Sequence, residues 1–251
     1  MSTALITGAT AGIGAAFARA LAAEGHDLVL VARDAARLAK HGEELAGAHG
    51  VTAIPLPADL TTPEGRAAVE ERLADPTDPV ELLVNNAGIG LNRSFLQASA
   101  EDLDRLLALN VTAVLRLTRA ALPGMVERGR GDVINVSSIA SFLVMPGSTY
   151  SASKAWVTNF SQSVGLAVRR RGVRVMALCA GYTRTEFHQR AGINAGKIPK
   201  WLWLSADDLV RDGLRDLRRG RLVSVPDWRY KTARLALKYG PRVLLLRASG
   251  R

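Results

Sequence analysis

The chain is poor in cysteine: Cys179 is its only one, so an internal disulfide is excluded. Four histidines beside that cysteine leave little from which to build a structural metal site, and none is expected. Glycine (23) and proline (10) are too few, and too irregularly spaced, for a collagenous or low-complexity chain. No uninterrupted stretch reaches the roughly 18 apolar residues that a bilayer-spanning helix needs. No basic region precedes the first apolar residues, Ala4 to Ile6, so the start does not read as a secretory signal. A soluble, cytoplasmic protein is the expectation. With 251 residues, 48% of them hydrophobic, the chain is long enough for one large α/β domain with a substantial core.

The charge is uneven. The formal net charge is +10, yet from Arg211 to Arg251 there are 12 basic residues against three aspartates, so the first 210 residues are nearly neutral. A solvated face explains such a segment most simply. Its apolar run Val243–Leu246, with basic residues at 231, 234 and 238, leaves open a peripheral contact with an anionic membrane. Packing of that run on the parent domain or a second subunit is preferred. The segment carries no nucleic-acid motif, which argues against such a partner.

Short apolar runs alternate with helical patterns along the chain. Strands are expected at 4–7, 28–32, 51–56, 81–84, 132–136, 173–178 and 222–225. Helices are expected at 15–24, 35–48, 63–73, 101–122 (stopping near Pro123) and 148–170. Strands apolar throughout, separated by helices, specify a mostly parallel sheet covered on both faces, in one doubly wound domain. The stretch 182–206 breaks this rhythm with Gly192, Gly196, Pro199 and Trp201–Leu204, and reads as a substrate lid or as helices packed on the sheet edge. The segment 229–251 reads as a basic and apolar tail.

Gly8, Gly12 and Gly14 fall between the first strand and the first helix, where a tight turn and free helical N–H groups suit a pyrophosphate. At the tip of the second strand Arg33 can pair with a 2′-phosphate, which favours NADP over NAD; Asp34 beside it complicates that choice. Tyr150 and Lys154 stand four residues apart on a predicted helix and so share a face. A phenol is a poor acid–base group at neutral pH, and a nearby ammonium favours its phenolate. Ser138 follows the fifth strand and can donate a hydrogen bond to a substrate oxygen. Asn110 falls in mid-helix, a poor place for asparagine unless its amide is used.

Together these residues resemble the classical short-chain dehydrogenases/reductases over nearly the whole chain. The resemblance rests on Thr7–Gly14, on Asn85-Asn86-Ala87-Gly88, and on Asn110, Ser138 and Tyr150-Ser151-Ala152-Ser153-Lys154. It implies a single-domain Rossmann fold with a seven-stranded sheet, and Asn110, Ser138, Tyr150 and Lys154 as the catalytic set. Gly8, Thr10, Ala11, Gly12, Ile13 and Gly14 would hold the cofactor's phosphates. Asp59 and Leu60 would receive the adenine, and Asn86, Ala87 and Gly88 the inner ribose. Gly181, Thr183 and Thr185 would lie at the nicotinamide, Lys154 would also hydrogen-bond its ribose, and Asn110 would position a water leading to Lys154.

Three departures stand out. The Ser138–Tyr150 interval is 12 where 13 is usual, which brings Ser137 into question as the hydroxyl. Ala180 replaces the proline of the usual Pro-Gly, loosening the chain near the nicotinamide. Ala11 stands where many NADP-using members carry a basic residue.

The expected activity is hydride transfer between NADP(H) and a carbonyl or alcohol substrate. Phe187, Trp201, Leu202 and Trp203, facing Phe142 and Met145, suit an apolar or acyl-chain substrate. The alternatives are an NAD-linked sugar or steroid dehydrogenase, or a catalytically silent dinucleotide-binding regulator. A homodimer or homotetramer, paired through the helices that carry Asn110 and Tyr150, is implied by the same resemblance.

Overall fold

The computed structural model describes residues 2–192, 196 and 198–232; the expected apolar run Val243–Leu246 and most of the basic tail lie outside them. Seven strands form one parallel sheet: β1 (Thr3–Thr7), β2 (Asp27–Ala32), β3 (Ala53–Pro57), β4 (Val80–Asn85), β5 (Gly131–Ser138), β6 (Val173–Ala180) and β7 (Val223–Ser224). Their order is β3-β2-β1-β4-β5-β6-β7, with every neighbouring pair parallel. The order reverses between β1 and β4, and that switch point opens a crevice at the carboxyl ends of the strands. Strands β1 and β6 are buried almost throughout, as their continuous apolar sequence requires. Edge strand β3 is largely exposed, and Pro55 and Pro57 blunt it against pairing with another chain.

Helices cover both faces. On one side lie α1 (Gly12–Ala23), α2 (Ala35–His49) and α8 (Ala206–Arg218), which bury Phe17, Leu38 and Leu214 against the sheet. On the other lie α3 (Pro63–Ala74), α5 (Val114–Glu127) and α6 (Thr149–Val168), the first two burying Val69, Leu117 and Met125. The short helices α4 (Ala100–Leu107) and α7 (Phe187–Arg190) complete the set.

Two expectations are corrected. The helix expected to stop near Pro123 continues to Glu127, with Pro123 inside it; burial of Met125 holds the last turn despite the missing N–H. Helix α4, a π-helical turn at Ala108–Ala113 and α5 run on as one stretch, Ala100–Glu127, long and apolar enough by composition to cross a bilayer. Its buried Leu106, Val114, Leu117 and Ala121 make it a core helix of this fold. Helix α8 was not expected, because its arginines mask the pattern. Ser205 caps it by accepting the Asp208 N–H, and Leu209, Val210, Leu214 and Leu217 form its buried stripe. Among the described residues at the start of the basic segment, Arg211, Arg215 and Arg221 pair with Asp208, Asp212 and Asp216, and Arg218 pairs with Glu24.

Beneath the crevice runs a buried chain of side-chain hydrogen bonds. Asn85 donates to Thr118 Oγ1 at 3.1 Å and to Asn135 Oδ1 at 2.8 Å, and Asn135 donates to Ser161 Oγ at 2.9 Å. It ties β4, β5, α5 and α6 together below the strand ends. Replacing Asn135 by alanine strands buried donors and acceptors on both sides, and should cost about 2–4 kcal/mol. Urea denaturation monitored by circular dichroism is the check; a loss under 1 kcal/mol on that roughly 1–3 kcal/mol scale of buried polar defects contradicts a structural network.

Candidate active site

The glycine turn is built for close backbone approach. Gly8 and Gly12 have φ of +67° and +54°, and a Cβ on Gly14 would overlap the Gly8 carbonyl oxygen. Ala11 caps α1 without a side-chain hydrogen bond, so the first N–H groups of the helix are left for an anion. Asn86 holds the turn from below: its Nδ2 donates to Thr7 O at 2.9 Å and Gly8 O at 3.3 Å, while its N–H and that of Ala87 bond Thr7 Oγ1. A dinucleotide's pyrophosphate fits this cradle, with Thr10 and Ile13 flanking it in sequence.

Arg33 is exposed at the tip of β2 and has no ion pair among the described residues. Asp34 is the N-cap of α2, its Oδ1 accepting the Arg37 N–H at 3.0 Å. Asp59 Oδ1 accepts the Thr61 N–H and hydroxyl at 2.9 and 2.7 Å. Burial pulls the Asp59 carboxyl upward, but those bonds and the charges of Arg33 and Arg105 hold it below its ordinary range. Leu60 points into the core, so only its backbone is left for an adenine.

Tyr150 and Lys154 meet on one face of α6. Lys154 is 5% exposed, and its ammonium donates to the Val136 carbonyl at 2.9 Å and stands 6.0 Å from the centre of the Tyr150 ring. Burial lowers it to about 8. Burial also pushes the Tyr150 phenol up to about 12, against the opposing pull of Ser138 as its hydrogen-bonding neighbour. The expected lowering of the phenol by Lys154 is thus not expressed here; desolvation dominates. Ser137 is turned away and buried, donating to Lys154 O at 2.9 Å and sharing a 2.7 Å hydrogen bond with Thr158. Of the two serines, Ser138 is the one facing the phenol.

Asn110 sits in the π-helical turn, where an extra residue redirects its side chain. Its amide bonds both the N–H and the carbonyl of Ile89, each at 2.9 Å, and reaches Ser153 Oγ at 3.3 Å. Gly88 lies between: a Cβ there would stand 3.2 Å from Asn110 Oδ1 and 3.4 Å from Lys154 Nζ.

The segment after β6 closes the site. Thr185 packs on Gly12, whose Cβ would lie 2.8 Å from its Cβ and Cγ2. The Thr183 hydroxyl turns back to the Gly181 carbonyl at 3.0 Å. Phe187 lies over Tyr150 with ring centres 5.8 Å apart, and His188 is enclosed by Tyr182, Phe187 and Trp203. Trp201, expected as a pocket wall, is 62% exposed, and Phe142 packs against the core. Sequence gave no sign of Tyr230. Its ring fills the space beside Gly181, and its hydroxyl accepts the Tyr182 N–H at 3.0 Å and donates to Leu202 O at 2.6 Å. This anchor ties down the backbone next to the position where Ala180 replaces proline.

The short chain dehydrogenase family profile matches residues 2–195. The chain belongs to the classical short-chain dehydrogenase/reductase family. It is 34% identical over 205 residues to the ketoacyl reductase HetN of Nostoc sp. strain PCC 7120, covering 78% of this chain and 71% of that one. A short-chain dehydrogenase from Sphingobium yanoikuyae, solved in complex with NADPH, superposes with a TM-score of 0.89 at 39% identity, covering 98% of this chain and 95% of that one. The bulky-bulky ketone specific alcohol dehydrogenase from Comamonas testosteroni gives 0.82 at 34% identity, over 96% and 95%. The protein is therefore an oxidoreductase with the Rossmann-like fold of this family.

The dry lysine generates a prediction about stability. Its folded pKa, about 8, lies below the ordinary 10.5, so between those values the unfolded chain binds more protons and stability rises with pH. The charged form costs the fold on the order of 3 kcal/mol at neutral pH. Lys154→Met should accordingly be more stable than wild type at pH 7, and the gap should narrow from pH 8 to 10. Melting curves across that range are the check; a gap that does not vary with pH contradicts a buried, strained ammonium.

Proposed function

We propose that the protein is an NADP(H)-dependent carbonyl reductase, acting in reverse as an alcohol dehydrogenase, on a bulky apolar or acyl-chain substrate. The observation that carries this reading is the convergence of Tyr150, Ser138 and Lys154 at the end of the crevice headed by the glycine turn. The backbone of Gly8, Thr10, Ala11, Gly12, Ile13 and Gly14 would hold the pyrophosphate, and Arg33 the 2′-phosphate. Asp59 and Leu60 would hold the adenine, and Asn86, Ala87 and Gly88 the inner ribose. Gly181, Thr183 and Thr185 would border the nicotinamide. The bound cofactor supplies or accepts the hydride.

The remaining steps belong to the chain's own residues. Tyr150 donates its proton to the substrate carbonyl oxygen; with the phenol near 12 it is fully protonated at neutral pH, which suits reduction. Ser138 donates a hydrogen bond to the same oxygen and supports the developing alkoxide. Lys154 carries a positive charge to the site and offers its N–H groups to the ribose. Asn110 fixes the Ile89 backbone beside it, in position to carry a water toward Lys154. In oxidation Tyr150 must first lose its proton, and Ser138 as its hydrogen-bonding neighbour offsets part of that cost.

The NADP preference is supported by Arg33, which has no ion pair among the described residues, by the capping role of Asp34 and by the NADPH bound to the Sphingobium relative. Phe187 over Tyr150, with Tyr182 and Trp203 behind it, supports an apolar substrate, as do the names of the Nostoc and Comamonas relatives. Exposed Leu107, Leu115 and Leu166 on α4, α5 and α6 support self-association as a dimer or tetramer.

Tyr150→Phe should leave NADPH affinity unchanged and reduce turnover of a bulky ketone by about 10²–10⁴-fold, the usual worth of a positioned acid. Retained turnover removes Tyr150 from the reaction, and absence of NADPH binding to the wild type removes the enzyme reading. Arg33→Ala should weaken NADPH about tenfold and leave NADH unchanged, the scale of one charge-assisted phosphate contact. Fluorescence titration with both nucleotides measures it.

A further inference from the structure

Arg37 lies in the first turn of α2, four residues beyond Arg33. Its guanidinium donates to Glu186 at 2.7 Å (Oε1) and 3.4 Å (Oε2). Glu186 directly follows Thr185, the residue packed on Gly12. The ion pair therefore joins the α2 side of the glycine turn to the segment leaving β6. Both side chains are more than two-fifths exposed, 43% and 42%, so water competes for them and the pair holds weakly. A 2′-phosphate, with roughly two negative charges and three acceptor oxygens, is a stronger partner for a guanidinium than one carboxylate is.

We propose that Arg37 is a second ligand for the 2′-phosphate, held in readiness by Glu186, and that its change of partner raises selectivity for NADP(H) beyond what Arg33 supplies. The inference rests on the NADP reading above. It accounts for a selective site that has Ala11 where relatives carry a second cation. It also places the competing anion on the segment that touches both Gly12 and Tyr150, so phosphate binding at one end releases a tie at the other.

The test is the ratio of NADPH to NADH affinity, measured by fluorescence titration of the full chain for wild type, Arg37→Ala, Glu186→Gln and Arg33→Ala. Effects on the shared pyrophosphate cancel in that ratio. Arg37→Ala should lower it about fivefold, and Glu186→Gln should raise it by about threefold, the range of one exposed ion pair. Both surface variants should keep the wild-type circular dichroism spectrum. If the ratio moves in neither variant, or falls in both, the pair is only a strap and the exchange is overturned. A wild type with a ratio near one overturns the NADP reading itself, and Arg33→Ala then changes nothing; a selective wild type with unresponsive Arg37 and Glu186 variants overturns this inference alone.

Discussion

The site depends on a cation kept almost out of water. Lys154 is 5% exposed, with the Val136 carbonyl as its hydrogen-bond acceptor, and its ammonium is held there by the fold rather than by a carboxylate. Such a charge is costly, and the surroundings show what keeps it in place. Ser137 binds the lysine's own carbonyl, the Asn110 amide closes the neighbouring loop, and Gly88 has no side chain to intervene. The same desolvation raises Tyr150, so without ligands the site favours a neutral phenol and an easily deprotonated lysine. A pair displaced in opposite directions by one environment is a pair whose protonation responds to what binds beside it.

The rigidity beneath that pair comes from amides rather than from apolar packing. Asn85, Asn135, Thr118 and Ser161 form a continuous buried chain, and Asn86 with Thr7 continues the support to the glycine turn. Buried polar groups of this kind stabilise most when every partner is present, and in this chain Asn85 Oδ1 has no hydrogen-bond partner among the described residues. Their position just below the strand ends links the cradle for the phosphates to the register of α6, and so to the spacing between a bound cofactor and Tyr150.

What the sequence made legible was local. The Gly8–Gly14 turn, the i,i+4 pair Tyr150 and Lys154, and the alternation of apolar strands with helices each depend on neighbours within a few residues. Spacing alone left Ser137 and Ser138 open, because consecutive strand residues face opposite ways and a one-residue shift exchanges them. The Asn110 position was legible, but the π-helical turn that aims it was not. Helix α8 had a cap at Ser205 and a clear apolar stripe, hidden by the arginines on its other face. Tyr230 acts on a strand end 48 residues earlier in the chain, a relation that only the assembled fold supplies.

The segment from Gly181 to Gly192 shows why such distant contacts matter. Within twelve residues it packs on the phosphate cradle through Thr185, pairs with α2 through Glu186 and covers Tyr150 with Phe187. It also accepts a hydrogen bond from Asn92 at the Gly192 carbonyl. A Cβ on Gly90 would meet Phe187 and Ala191 at 3.0 and 2.9 Å, so the loop after β4 and this segment fit against one another without slack. Thr185 and Phe187 are two residues apart, so the contact with the cradle and the ring over Tyr150 are held by one short piece of chain. The strand end must then be fixed by something other than the missing proline. Tyr230 does this from outside the segment, through ring packing on Gly181 and hydrogen bonds to Tyr182 and Leu202, so that the contacts beyond it start from a fixed point.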